Sequence, residues 1–492
     1  MLTVTIFLPL VTGFLILALP GSRPRVARWT ALAGSLATLA AALTLWAGYD
    51  PSGPALQSRA TARWIPGLGA SYDVAVDGLS LPLILLTAVL LVAVSLYSIP
   101  GRDRAREHAF LFLLLSTGLI GVFSAQDLLL FYVFFEVALV PMYFLIGVWG
   151  HDGRRYAAMK FFLYTRAGSL AMLLAFLGLS LAMAPHTFSL PAIAAAHPLD
   201  GSPGGGLVLL GLLLGFGVKL PVVPLHNWLP DAHVQAPTEA SVVLAGLQLK
   251  MGGYGLLRIL LPSLPETARR YAWILLVVAI VSILYGVLAA LAQRDLKRLI
   301  AYTSVNHMGF VLLAVAAFSL SSNVGVRRLA FDGAGYQMVS HGLLTGGMFF
   351  LVGILESRTG TRELGRFGGL FRLAPLLGTA LLLLSLGSLG LPGFSGFAAE
   401  LQVLGATVSV SLAAASAAVL GVVVTTGLYL KVLSGLLLGD APKDMPRVSD
   451  LDVREVLAVG SLVTLSLTLG LFPGLLERVL EGASRFVAPL PH

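Results

Sequence analysis

The stretch Gly217-Val218-Lys219-Leu220-Pro221-Val222-Val223-Pro224-Leu225-His226-Asn227-Trp228-Leu229-Pro230-Asp231-Ala232-His233 decides the fold class. It overlaps an apolar run over 206–229. That run is long enough to cross a bilayer as a helix, which takes roughly 17–25 residues. Pro221 and Pro224 must interrupt the helix, because each lacks a backbone N–H and its ring clashes with the preceding turn. Lys219 sits just ahead of the break. Inside a membrane, broken helices and charged side chains are tolerated only where they meet protein or water. The stretch therefore predicts an all-α polytopic membrane protein with a polar interior.

The surrounding composition agrees. Of 492 residues, 57% are hydrophobic and 11% charged, and the mean hydropathy is +0.89. Soluble domains average about 25% charged residues, so a water-covered surface is excluded. The absence of cysteine excludes disulfides, thiolate-held zinc and iron–sulfur clusters within the chain. Apolar runs lie near 2–20, 29–49, 79–99, 109–125, 127–149, 160–184, 206–229, 238–262, 271–292, 298–318, 334–356, 374–409, 411–438 and 456–476, which predicts about fourteen transmembrane helices. Barrel strands would alternate in polarity over about 10 residues and are excluded. The first run lacks a basic leader and a small-residue cleavage site, so a retained helix is expected there.

Basic residues set the orientation. Loops after odd-numbered helices hold 19: Arg23, Arg25, Arg28, Arg102, Arg104, Arg106, Arg154, Arg155, Lys160, Arg294, Lys297, Arg298, Arg358, Arg362, Arg366, Arg372, Lys443, Arg447 and Arg454. Loops after even-numbered helices, with the C-terminal tail, hold 9: Arg59, Arg63, Arg258, Arg269, Arg270, Arg327, Arg328, Arg478 and Arg485. Odd loops are thus expected in the cytoplasm and both termini outside. The net charge of +8 reads as this orientation signal, not as a nucleic-acid footprint.

Four basic residues are left inside the runs: Arg166, Lys219, Lys250 and Lys431. Arg166 and Lys431 lie near enough to helix ends to snorkel. Lys219 and Lys250 do not. Glu136 and Glu400 are the deepest carboxylates, while Asp127 and Glu356 stand at span ends and are expected to be interfacial. Each deep charge costs about 2.5–3.5 kcal/mol on insertion scales. Structural ion pairs between helices are one explanation; a hydrated proton path is the other. Residue choice favours the second. The chain has 26 Arg and 6 Lys, yet both deep basic positions are Lys. Arginine keeps its charge, whereas a desolvated lysine can give up its proton.

A second break follows in Leu391-Pro392-Gly393-Phe394-Ser395-Gly396-Phe397, just ahead of Glu400. If the fourth to eighth helices form one unit and the ninth to thirteenth another, each has its break in its fourth member. That is the pattern of an inverted-repeat transporter, here two five-helix repeats each with a broken helix. The expected divisions are helices 1–3 over 1–108, a first repeat over 109–262, a second over 271–438, and a final helix and tail over 439–492. His307, in the tenth span, and His341, in the eleventh, are either hydrogen-bonded core residues or a link between the two broken helices. His226 and His233 flank Asn227–Ala232 beyond the first break. Their spacing fits no usual metal-ligand pattern, and a polar vestibule is the expected setting.

Three segments resemble the antiporter-like membrane subunits of respiratory complex I, which share ancestry with the large subunits of multi-subunit Na+/H+ antiporters. They are Asp127-Leu128-Leu129-Leu130-Phe131-Tyr132-Val133-Phe134-Phe135-Glu136, Lys219 to His233 as quoted above, and Ala301-Tyr302-Thr303-Ser304-Val305-Asn306-His307-Met308-Gly309. Within that family, the M type (chain 4) carries Glu at the second break where L and N types usually carry Lys. Glu400 therefore resembles type M, and the chain lacks the long lateral helix of the L type.

The resemblance implies roles. Glu136 and Lys219 would form the first-half ion pair, Lys250 the central relay, His307 and His341 the link, and Glu400 the terminal site. Arg166 departs from the family, which commonly has an uncharged residue there; it either snorkels or biases Glu136. The implied function is proton translocation within NADH:quinone oxidoreductase in a bacterial inner (plasma) membrane. No cofactor or metal is expected in this chain. NADH, FMN, iron–sulfur clusters and quinone are expected in partner subunits, with L-type and N-type membrane neighbours and peripheral-arm redox subunits as partners and no nucleic acid. The alternatives are a Na+/H+ antiporter subunit, a membrane subunit of a hydrogenase or formate-oxidising complex, or a scaffold whose charges only hold helices together.

Overall fold

Where water is absent a chain must pair its own backbone groups, and every predicted apolar run carries helix in the computed structural model. The structure describes residues 1–101, 103–442, 445 and 447–488. Arg102 and Lys443, both counted above for orientation, lie outside the described residues. The principal helices are α1 (Leu2–Ala18), α2 (Pro24–Ala47), α3 (Ser80–Tyr97), α4 (Ala105–Ser124), α5 (Leu128–Trp149) and α6 (Arg154–Leu181). The first broken helix is α7 (Pro203–Lys219) followed by α8 (Trp228–Gln235). Next come α9 (Thr238–Ser263), α10 (Ala272–Leu291), α11 (Leu296–Leu320) and α12 (Val324–Thr359). The second broken helix is α13 (Pro375–Ser388) and α14 (Ser395–Val408), then α15 (Leu412–Leu437), α16 (Val453–Leu471) and α17 (Gly474–Val487). Short helices in the connections are left unlabelled.

Among the described residues, eleven helices are long and apolar enough to cross a membrane. The three remaining predicted spans hold shorter apolar helices, namely α1, α7 and α13. The seventh and twelfth runs are not continuous helices: α7 stops at Lys219, before Pro221, and α13 stops at Ser388, before Pro392. The breaks thus fall where proline forbids continuation.

The interior is built chiefly by α9, α11 and α12. The most apolar windows of α9 and α12 are wholly buried and that of α11 is 94% buried, against 28% for that of α16. Large apolar side chains on the outer helices, such as Trp273, Leu412 and Val423, point away from the protein. This inside-out arrangement is what a lipid solvent requires.

Several residues sit elsewhere than the sequence suggested. The helix containing the eleventh run begins ten residues early, so Arg327 and Arg328 are helical, and Arg327 is buried over the Phe318 ring at 4.4 Å. Lys297, counted with a loop, is fully buried in the first turn of α11. Arg258, also counted with a loop, lies within α9 and pairs with Asp77 at 3.3 Å. Charge counting by hydropathy misassigns these three because a buried partner, invisible to a window average, holds each cation inside.

Besides short connecting helices, a hairpin and a C-terminal helix lie outside the predicted runs. Strands β1 (Gln57–Ile65) and β2 (Ala70–Val76) form an antiparallel hairpin with Thr61 opposite Asp73. Gly69 turns it at φ +68°, where a side chain would collide with His186 O. The second is α17, whose buried stripe Leu476, Val479, Leu480, Ala483 and Val487 follows helical spacing while Glu477, Arg478, Glu481 and Arg485 line other faces.

Candidate functional site

α5 starts at Asp127, a buried N-cap whose carboxylate accepts from the N–H groups of Leu129 (2.9 Å), Leu130 (3.1 Å) and, from the hairpin, Ser71 (2.8 Å). The cap explains why this carboxylate at the span end is buried. Glu136 follows on the same helix. Its Oε2 lies 2.6 Å from Nη1 of Arg166 on α6, and the same guanidinium donates to the Tyr132 hydroxyl at 3.1 Å.

Arg166 thus reaches Glu136 while 41% of its side chain stays exposed, and the expected Glu136–Lys219 pair is open. Lys219 is fully buried at the end of α7, and its Nζ has no hydrogen-bond partner among the described residues. The ammonium is flanked by the rings of Phe135 at 5.4 Å and Phe161 at 5.1 Å, a cation–π setting that offsets part of its desolvation. Glu136 Oε1 is likewise buried and unpartnered, and Glu136 is near enough to act electrostatically on Lys219. The break beyond Lys219 is fastened by Trp228, whose indole donates to Val218 O at 3.0 Å, and by Val223 N donating to Ser282 Oγ at 3.0 Å.

Lys250 is fully buried at the middle of α9. Two π-helical segments, Leu244–Gln248 and Leu256–Leu260, flank its turn. Such segments loosen the regular i→i−4 ladder, and here Ala245 O accepts from Lys250 Nζ at 2.5 Å. The same Nζ lies 2.7 Å from His341 Nδ1 on α12. The His341 and His307 ring centres are 5.8 Å apart, and His307 Nδ1 is 3.6 Å from Glu400 Oε1. A cavity of about 10 Å³ among His307, Gln337, His341 and Glu400 has room for about one water. Glycines permit the approach of helices: a methyl on Gly252 would collide with Phe216 O and stand 2.6 Å from Leu220 N.

The structure thus brings Lys250, His341, His307 and Glu400 into one row and sets Glu136, Arg166 and Lys219 apart as a second cluster. His233 is fully buried, stacked on Phe349 at 4.4 Å, with both ring nitrogens unpartnered. It lies within electrostatic reach of Lys250 and Lys297. His226 instead packs edge-on against Tyr285 at 4.9 Å, away from the row.

Sequence reasoning missed two groups. Ser340, Ser395 and Ser466 form a hydroxyl chain at the second break, 2.8 Å per step. Lys297, on the odd-loop side, donates to Ala236 O at 2.9 Å and pairs with Glu356 at 3.2 Å; Glu356 also meets Arg362 at 3.1 Å and His151 at 3.3 Å. Glu356 is therefore at a span end but inside an ion network. These partners come from distant parts of the chain, so no local pattern announces them. Among the described residues, no three His, Asp or Glu side chains are grouped to hold a metal ion.

The family described as NADH:quinone oxidoreductase/Mrp antiporter, TM, matches residues 125–426, which include both clusters. The chain is similar to the NADH-quinone oxidoreductase subunit M of Rhodobacter capsulatus, 39% identical over 96% of this chain and 94% of that one. Among solved structures it is similar to a chain of respiratory complex I from Thermus thermophilus with bound NADH: TM-score 0.89, 32% identity, 99% of each chain covered. A chain of the Mrp complex from Dietzia sp. shares the fold, with TM-score 0.86 at 24% identity over 99% of this chain and 97% of that one.

Proposed function

The chain belongs to the family of NADH-quinone oxidoreductase M subunits, and from that premise we propose that it translocates protons across a bacterial plasma membrane while doing no redox chemistry itself. The observation that carries the reading is the buried row Lys250–His341–His307–Glu400, with separations of 2.7 Å, 5.8 Å (ring centres) and 3.6 Å. These are steps that a side-chain rotation or a single water can bridge. Redox energy arrives from partner subunits, which hold NADH, FMN, iron–sulfur clusters and quinone. Neighbouring L-type and N-type subunits flank the chain in the membrane arm. Odd loops face the cytoplasm and even loops the outside. Residues 109–262 and 271–438 act as two repeats.

Glu136 has a choice of cation: Arg166, which it now holds at 2.6 Å, or the unpartnered Lys219. A conformational change in a neighbouring subunit that moves Glu136 from one to the other alters the field at Lys250 and its hold on a proton. The proton then passes by His341 and His307 to Glu400. Moving one charge against 100 mV requires about 2.3 kcal/mol, the scale of making or breaking a poorly solvated ion pair. The Na+/H+ antiporter alternative has the shared fold in its favour, while Glu400 stands where antiporter subunits usually carry Lys.

The test is NADH-driven proton uptake into inside-out vesicles carrying the assembled enzyme with Glu136→Gln, Lys250→Ala or Glu400→Gln. NADH oxidation by a hydrophilic acceptor should persist while proton transport falls. Normal pumping stoichiometry in all three variants would overturn the proposal.

A further inference from the structure

One deeply placed carboxylate has no part in the row. Asp332 lies near the even-loop end of α12 and is 8% exposed. Its Oδ2 accepts from Ser484 Oγ on α17 at 3.2 Å, and its Oδ1, though buried, has no hydrogen-bond partner among the described residues. An unsatisfied carboxylate oxygen is costly to bury and calls for an explanation. Asp332 lines a cavity of about 450 Å³ bordered by Ser52, Arg328, Arg478, Glu481 and Arg485. Ser52 belongs to the connection after α2, Arg328 to the even-loop end of α12, and Arg478, Glu481 and Arg485 to α17.

The cavity's base approaches the end of the row. Gly333 packs against α14 so closely that a methyl would stand 3.0 Å from Gln402 Cβ and Val403 N, two and three residues beyond Glu400. Gln402 Nε2 donates to Glu477 Oε1 at 2.8 Å, and Glu477, Glu481 and Arg328 act electrostatically on Asp332. On α12 itself, Gln337 lines the Glu400 cavity, and its Oε1 is unpartnered. It follows Asp332 by five residues, about 7.5 Å along the helix. Polar groups thus stand on both sides of the α12–α14 contact, with Gln402 and Glu477 toward Asp332 and Gln337 toward Glu400.

We infer that Asp332 is the group through which the row releases protons to the even-loop face. This rests on the proposed role of Glu400. The O–H bond on Glu400 breaks as one forms on a bridging water, and that water's displaced proton bonds to Asp332 Oδ1. Asp332 then gives its proton to water in the cavity. The rim sets Arg328, Arg478 and Arg485 against Glu481, a net positive surround that weakens the cavity's hold on an excess proton.

The assembled enzyme in vesicles, carrying Asp332→Asn, Asp332→Glu, Ser484→Ala or Glu400→Gln, tests this through proton transport measured beside NADH oxidation. Asp332→Asn should preserve oxidation and slow release through this subunit about a hundredfold, the usual effect of losing one acid–base group. Asp332→Glu should restore transport with a changed dependence on even-side pH, and Ser484→Ala, which removes one hydrogen bond but keeps the carboxylate, should lose far less than Asp332→Asn. If Glu400→Gln abolishes transport and Asp332→Asn does not, the inference is wrong while the row stands. If Glu400→Gln itself pumps normally, the reading of the row fails first. Equal losses in Asp332→Asn and Ser484→Ala would reduce Asp332 to packing and overturn the inference. Should Asp332→Asn fail to assemble, an unchanged pH profile in Asp332→Glu would also overturn it.

Discussion

At the scale of single residues, Lys219 is a cation with no hydrogen-bond partner among the described residues, held by two aromatic faces and the field of Glu136. Burying an ammonium without a paired anion costs several kcal/mol, so its retention points to function rather than stability. We expect Lys219→Met to leave the solubilised complex at least as heat-stable as the parent, with an upward shift of its unfolding midpoint, while proton transport is lost. A lowered midpoint with transport intact would contradict this. Arg166 is the counterpart. With Arg166→Gln, Glu136 has Lys219 as its one nearby cation and the pair closes. Opening it should then slow coupled turnover about fiftyfold, equivalent to the ~2.3 kcal/mol scale of a poorly solvated pair. Steady-state NADH oxidation in coupled vesicles measures it; faster turnover would show that Arg166 restrains the cycle instead. The positions of Glu136, Lys219, Lys250 and Glu400 were legible because a deep charge in an apolar run stands out. Their partners were not, since Glu136 meets Arg166 thirty residues away and Lys250 meets His341 ninety-one residues away.

At the scale of elements, the spans were legible because a bilayer demands about 20 apolar residues whatever the fold. The breaks were legible because proline removes a donor. The β1–β2 hairpin and α17 were not. β1 is mostly exposed, and α17 divides apolar and charged residues between its faces, so a window average sees neither. The start of α16 shows how the odd-loop face is secured. The Asp452 carboxylate caps the N–H groups of Arg454 (2.8 Å) and Glu455 (2.9 Å), and Glu455 returns the bond to Asp452 N (2.9 Å). Burial raises the Asp452 carboxyl, but the Arg454 guanidinium and the two N–H groups outweigh it and hold its pKa below the usual value. A lowered folded-state pKa stabilises above the ordinary carboxylate value and is lost as pH falls through the lowered one. The cap should therefore be constant from about pH 5 to 8 and fail only below about pH 4. Asp452→Ala should cost about 1 kcal/mol and remove that acid dependence, read as faster amide exchange in the first turn of α16. Unchanged exchange at neutral pH would dismiss the cap.

At the scale of the whole molecule, polar cavities lie on both faces. One of about 230 Å³ on the odd-loop side is lined by Ser98, Glu239, Asp452 and Glu455, and the cavity holding Asp332 lies on the even-loop side. The proposed orientation is testable because the chain has no native cysteine. Thr61→Cys on β1 should react with an impermeant maleimide from the outer side of intact cells, and Asp152→Cys only after lysis; both positions are exposed. The reverse pattern would invert the topology.

The row between these faces has a consequence for voltage. Lys250, His307 and His341 each lie within one residue of the midpoint of α9, α11 and α12. On the proposed path, a proton passing among these helix midpoints moves mainly sideways and crosses little of the transmembrane field. Nearly all the electrical work then falls on two short vertical movements, uptake from one face and discharge to the other. The membrane potential should therefore slow those end steps and leave the central relay untouched.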